Sequence, residues 1–281
     1  MKKITALVSC AVMVIFCFCA CGKKTGAPVA GSATTESLLN LIPKDSNVVV
    51  VVDLHKVMST EVAGKAVQDE KNQPKYQEFV NVTGIDPKKD VYLMAMGFIG
   101  GPGKTKTEQE GAVIINLRYD KDKLLAKFKE KAKDFKEEEY NGVTIYNSAE
   151  APGKQMASGA FLDASNIVVG SASGVRTVID IYQKKAEGVT KNPVMAGVIK
   201  SAKTDAMFWT AVSLPPEAMK QASSQNPMMK SVENLKALTI FFDYKNKSLL
   251  AEIKAAGGTE SDNKALADTL TGLKGMGAMA G

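Results

Sequence analysis

Patterned sequence begins with an unbroken β-branched run, Asn47 to Leu54 (NVVVVVDL), which has no alternation of polar and apolar positions. Such a run predicts a strand buried on both faces. A helical stretch follows and breaks near Asn72-Gln73-Pro74. Asp90 to Phe98 (DVYLMAMGF) and Gly111 to Tyr119 (GAVIINLRY) predict two further strands joined by a Gly/Lys-rich loop. Asp120 then caps a helix whose apolar positions Leu124, Leu125, Phe128, Ala132 and Phe135 form one stripe at a period of about 3.6 residues.

The same order returns later in the chain. Asp205 to Leu214 reads as a strand, and Pro215-Pro216-Glu217 opens a helix with proline in its first turn. Leu238 to Asp243 and Ser248 to Ala255 predict a hairpin turning at Tyr244-Lys245-Asn246-Lys247. Thr259 and Ser261 start a last helix through Leu266 and Leu270. These segments make two βαββα units, at about 47–137 and 205–273.

Between the units lies a meander, Val143–Tyr146, Gly159–Asp163 and Ile167–Gly170. It ends in a helix capped by Ser173, with Val175, Val178, Ile179 and Tyr182 on one face and Gly188 past its end. Hairpin connections imply antiparallel pairing. The expected fold is therefore α+β: a mostly antiparallel sheet with helices packed on one face, built from two βαββα-like units within a body spanning 41–275. Residues 276–281 are expected to be a flexible tail.

Upstream of the body the pattern changes. Lys2 and Lys3 precede an apolar run of 17 residues, Ile4 to Ala20, and then come Cys21-Gly22 and a small, polar stretch to about residue 36. A charged start, an apolar core and a small residue before the cut describe a secretory signal peptide over residues 1–20. The cysteine after it resembles the lipobox of bacterial lipoproteins, matched best at Ala20 and less well at Phe18 and Cys19. That resemblance implies that the Cys21 thiol is acylated with diacylglycerol and becomes the new N-terminus, with residues 21–40 as lipidated start and flexible tether.

Leu7-Val8-Ser9-Cys10 fits the lipobox letters better, but only Ile4 to Leu7 would precede it as an apolar core, where roughly 7–15 residues are needed. An uncleaved anchor helix is the rival reading, since 17 residues stand at the lower edge of the ~17–25 that span a bilayer. Either way the body is tethered to a membrane by its N-terminus. By resemblance to enteric lipoprotein sorting, Gly22 in place of aspartate favours the periplasmic face of the outer membrane in a Gram-negative host. The tandem α+β body resembles that of several uncharacterised bacterial envelope lipoproteins, an architectural likeness over 41–275 that implies no activity.

Composition narrows the chemistry. All four cysteines, at 10, 17, 19 and 21, lie in the N-terminal segment, so the body offers no disulfide, thiolate metal site or cysteine nucleophile. The formal net charge is +6, to which Lys2 and Lys3 of the leader contribute without an acid. With aromatics at 6% and lysines interleaved with acids, nucleic acid is not an expected partner. No cofactor and no metal site is expected. His55, the single histidine, stands two residues after Asp53, and one histidine is too few for zinc or copper.

Several segments imitate known motifs. In Gly97 to Thr105 the phosphate-loop spacing puts Phe98 where glycine is required, and a strand rather than a helix follows. Ser261-Asp262-Asn263-Lys264 contains elements of the penicillin-recognising enzymes, yet serine and aspartate at a helix start are ordinary caps. The lysine-rich helix Asp120–Asp134 and the run Glu137-Glu138-Glu139 read as solvated charge. The thirteen methionines are scattered, as core filler is, and Trp209 is expected to anchor the core.

These observations rank three functions. The first is a non-enzymatic, membrane-anchored envelope module that binds an envelope protein partner or organises the envelope. The second is a carrier of a lipid or small apolar ligand, which requires an apolar cavity of several hundred Å3. The third is a hydrolase using His55, which requires a serine or threonine hydroxyl beside that ring.

Overall fold

The computed structural model describes residues 33–99, 110–149, 156–225 and 233–261, together with Lys264 and Ala267. Its centre is the valine run. β1 (Val48–Asp53) lies between β2 (Val91–Ile99) and β8 (Phe208–Ser213), antiparallel to both. β2 pairs β3 (Glu110–Leu117), and β8 pairs β9 (Leu235–Lys245), which pairs β10 (Ser248–Gly257). On the other side β3 pairs β7 (Asn166–Gly170), followed by β6 (Met156–Phe161), β5 (Val143–Ala149) and β4 (Lys133–Tyr140). The result is one antiparallel sheet in the order β10-β9-β8-β1-β2-β3-β7-β6-β5-β4. The half β1-β2-β3 meets the half β8-β9-β10 along β1 and β8, so the two units abut as mirror-ordered triplets.

Both sides of the sheet carry a core. Val49 and Val51 of β1, Leu93 and Ala95 of β2 and Ile114 of β3 are buried in one cluster with α1 (Thr35–Leu39), α6 (Ala172–Tyr182) and α7 (Pro193–Ser201). Val50 and Val52, Met94 and Met96, and Ile115 join the other cluster, with α4 (Gln73–Thr83) and α5 (Lys121–Lys131). The α+β architecture with an antiparallel sheet is as expected, but the helices are shared between the two faces rather than gathered on one. A strand of five consecutive valines needs cover on both sides. Trp209, 0% exposed, anchors the first cluster as expected.

Four boundaries differ from the sequence reading. α1 lies within the expected tether, where a Thr34–Ser37 capping box starts it and Leu38 and Leu39 bury themselves. The stretch between β1 and β2 holds three helices: α2 (Leu54–Ser59), α3 (Glu61–Gln68) and α4. α5 ends at Lys131, and Phe135 stands on β4 instead of on the helix stripe. Ser171, not Ser173, caps α6, its hydroxyl accepting the Gly174 N–H at 3.1 Å. Close approach explains Gly174 itself, because a Cβ there would stand 2.5 Å from the Gly111 carbonyl oxygen.

The helix after β8 is α8 (Pro216–Gln225), proline-started as read. Glu260 and Ser261 are helical, while Asp262 and Asn263 of the cap motif lie outside the described residues. So do residues 100–105 of the phosphate-loop-like stretch, the Cys21 lipobox and the 276–281 tail.

Candidate apolar cleft

The β4–β7 wing shows how residue size carves a site. On the face covered by α4 and α5, β3 presents Ile115, β7 presents Ile167 and β5 presents Tyr146. On β6, Gly159 lies between Tyr146 of β5 and Val169 of β7, with Ala157 two residues along on the same face, and their small size leaves a hollow. Phe79 of α4 and Leu124, Leu125 and Phe128 of α5 roof it, enclosing a cleft of about 110 Å3. The space at Gly159 is real, since an added Cβ would meet only the Val168 carbonyl oxygen at an ordinary 3.4 Å.

Aromatic rings rim the cleft in a continuous row. Tyr119 stacks on Phe161 at 5.4 Å, Phe161 meets Tyr146 edge-on at 5.7 Å, and Tyr146 stacks on Phe135 at 6.2 Å. Phe135 then meets Phe128 edge-on at 5.5 Å. Two lysines of α5 lie over this row, Lys121 at 5.3 Å from the Phe161 centroid and Lys129 at 5.4 Å from that of Phe135. Burial pushes the Tyr119 and Tyr146 hydroxyls above the usual phenol range, so both rings stay neutral.

The polar groups near the cleft are already used. The Thr83 hydroxyl donates to the Phe79 carbonyl at 2.7 Å and accepts the Ile85 N–H at 3.0 Å. Ser158 donates to Asn147 at 2.6 Å, and Tyr119 donates to the Asp163 carbonyl. What remains facing the hollow is hydrocarbon and ring, so its natural occupant is an apolar group.

A small electrostatic knot fixes the α4 wall. Gly84, at φ 70°, closes α4 in the left-handed conformation. Beyond it the Asp86 N–H donates to Asp90 at 2.7 Å, and Asp90 accepts the Arg118 Nε at 2.8 Å. Asp86 accepts from Tyr76 and pairs Lys89 at 2.9 Å. Burial alone would raise the Asp86 carboxyl. Hydrogen bonds from Tyr76, Lys89 and the Lys88 N–H outweigh it and hold the group below the ordinary range.

The candidates read from the sequence have structural duties. Asp53 caps α2 by accepting the Lys56 N–H at 2.8 Å and pairs the Lys56 ammonium at 3.2 Å, so its carboxylate is engaged away from an imidazole-orienting role. His55 is exposed, and its ring lies 6.4 Å from that of Tyr92. Glu138 is held bidentate by Arg176 at 2.7 and 2.9 Å, Glu137 pairs Lys129 at 2.8 Å, and Glu139 accepts from Thr144 at 2.5 Å. On α5, Lys127 pairs Glu130.

A second, polar groove of about 590 Å3 lies between α2–α3 and the β9–β10 turn, but its charges also neutralise one another. Lys245 stands 3.4 Å from Asp243, and Lys203 stands 3.2 Å from Asp205. Among the described residues no group of three or more His, Cys, Asp and Glu side chains could hold a metal, and no helix is long and apolar enough to cross a membrane.

Sequence reasoning missed the cleft. Its signal lies in Gly159, set between Tyr146 of β5 and Val169 of β7, with Ala157 two residues along on the same face, which only the register reveals.

Comparison with curated proteins gives no match. Among solved structures, crystal form IV of TP0453 superposes with a TM-score of 0.45 at 8% identity, covering 77% of this chain and 79% of that one. Residues 104–271, well over half of the chain, match the family described as Protein of unknown function (DUF3352), and the chain belongs to that family.

Proposed function

We propose that this chain is a lipid-anchored, non-enzymatic module of the cell envelope that binds a protein partner through the cleft beneath α4 and α5. The carrying observation is the size and lining of that cleft. At about 110 Å3 it accepts one aromatic or branched aliphatic group, somewhat less than the roughly 150 Å3 cavity that takes benzene. It falls short of the several hundred Å3 that a whole lipid requires. One buried anchor side chain surrounded by a ring of near-neutral contacts is how protein interfaces concentrate binding energy. The aromatic row and the rim lysines Lys121 and Lys129 supply that surround.

In this reading Cys21 carries the lipid that keeps the body at the membrane, at the periplasmic face of the outer membrane in a Gram-negative host. No cofactor or metal takes part. The carrier function is the second reading, favoured by the same hydrocarbon lining, with a short apolar ligand in place of the anchor residue.

The test uses the full chain in cells with a photoreactive phenylalanine analogue at position 128. A protein adduct that disappears when Ala157→Leu fills the hollow supports the proposal. An adduct of lipid mass alone transfers the cleft to the carrier reading, and no adduct overturns both. Cys21→Ser should release the body from the membrane fraction and abolish labelling by radioactive palmitate.

A further inference from the structure

β10 is an edge strand, ten residues long, and among the described residues no strand lies beyond it. It leaves the β9–β10 turn through Asn246 and Lys247, both at positive φ (51° and 61°), the signature of a type I′ turn. The pair closing such a turn, Lys245 and Ser248, points its backbone groups at each other. Alternation then fixes the rest: Leu250, Glu252 and Lys254 bond inward to β9. The N–H and C=O groups of Leu249, Ala251, Ile253 and Ala255 point outward into solvent.

Side chains do not shield this row. Leu249 is 63% exposed, Leu250 44% and Ile253 40%. Natural edges are blunted by charge, bulges or proline, and β10 carries only Glu252 and Lys254, which neutralise each other at 2.8 Å. Its one irregularity lies at the far end, between Ala256 and Gly257.

We infer that β10 pairs antiparallel with β10 of a second copy of this chain, about a two-fold axis through Ile253. Charge selects that register. Outward groups must meet outward groups, so a symmetric pairing passes its axis through a residue and not between two residues. Centred on Ile253, Glu252 faces the other copy's Lys254 twice over, and Ala251 faces Ala255. A shift of one residue toward the turn sets Glu252 against Glu252, and the opposite shift sets Lys254 against Lys254. Centring on Ala251 leaves Glu252 against Leu250, and centring on Ala255 leaves Lys254 against Ala256. Only the Ile253 register joins hydrogen bonds, apolar rows and opposite charges.

The pairing also closes. The opposite edge, β4, carries Lys136, Glu137, Glu138 and Glu139 and is kinked between Lys133 and Lys136, so an open-ended chain of copies is disfavoured there. This interface is separate from the cleft and stands whether or not the cleft binds a protein.

The test is sedimentation of the full chain in mild detergent under reducing conditions. The native chain should sediment at twice the mass of one copy. Glu252→Lys and Lys254→Glu should each fall to the single mass, because each places like charges across the axis. An equimolar mixture of the two should return to the double mass, since lysines on one copy then face glutamates on the other. Ile253→Pro removes only an outward N–H and should also give the single mass, with the circular-dichroism melt reporting that each variant is folded. A native chain of single mass overturns the inference. So does a dimer indifferent to both charge variants, or a mixture that stays monomeric.

Discussion

At one end of the sheet β4 presents Lys136 and then Glu137, Glu138 and Glu139, each glutamate tied to a neighbour, and its start is kinked at Asp134, φ 50°. At the other end β10 presents Leu249, Leu250 and Ile253 to solvent. Both are long antiparallel edges made by a two-residue hairpin. They differ in what the chain beside them covers. The β4 wing is roofed by α5 and braced by Arg176 of α6, so its charges can be spent on closing the edge. On β10 every residue from Ser248 to Lys254 is exposed. An edge left apolar where its counterpart is charged marks a surface kept for contact.

The sharpest way to break the contrast is at Trp209, where β8 enters the core cluster that continues under β5–β7. Trp209→Ala should cost about 3–5 kcal/mol, as truncation of a fully buried aromatic does. Amide exchange should then show β8 and β9 opening before β5–β7. Uniform opening of all strands would mean that the two halves do not differ in cooperativity.

A smaller effect is expected at the cleft. Ala157→Leu fills the hollow without opening a cavity, so the melting temperature should stay within a few degrees. Uptake of an apolar fluorescent probe should vanish, and persistence of probe binding would place the apolar site elsewhere.

The sequence made the middle of the sheet legible and left its ends obscure. Five valines between Asn47 and Asp53 state that β1 is central, and the same fact implies cover on both faces, which the hairpin count alone did not convey. β4 is hidden because KDFKEEEY has no apolar alternation. Its register rests on the Asn141-Gly142 turn (φ 51° and 76°) and on ion pairs contributed by α5 and α6. Phe135 fitted the helix stripe by spacing, yet the chain turned at Ala132 and delivered the ring to the cleft rim from a strand. Ala157 and Gly159 carry no motif, and their meaning arises from the size of residues far away in the chain.

Acid should distinguish the knot at the α4 wall. Asp86 has a folded value below its unfolded one, near 4. Its ionised form therefore stabilises the fold above that unfolded value, and the contribution is lost as pH falls through the lowered folded value. Asp86→Asn should be less stable at neutral pH and show a shallower loss between about pH 5 and 2, measured by urea titration. An unchanged acid limb would remove Asp86 from the account.

The least effect should come at the edges themselves. Arg176→Ala removes a half-exposed bidentate pair and should cost no more than about 1 kcal/mol. Leu249→Lys, which makes β10 resemble β4, should stay within about 0.5 kcal/mol. If instead Leu249→Lys unfolds the hairpin, the apolar edge is part of the monomer's own core.

α1 sets a leash. Its Thr34 cap and buried Leu38 and Leu39 fasten the chain to the body from Ala33 onward, leaving eleven residues between Cys21 and the first fastened position. With the lipid on Cys21, covalent geometry caps that span at about 40 Å. Under the proposed anchoring the body patrols a shallow layer beside its own membrane, where copies would meet in two dimensions and a modest edge contact would suffice.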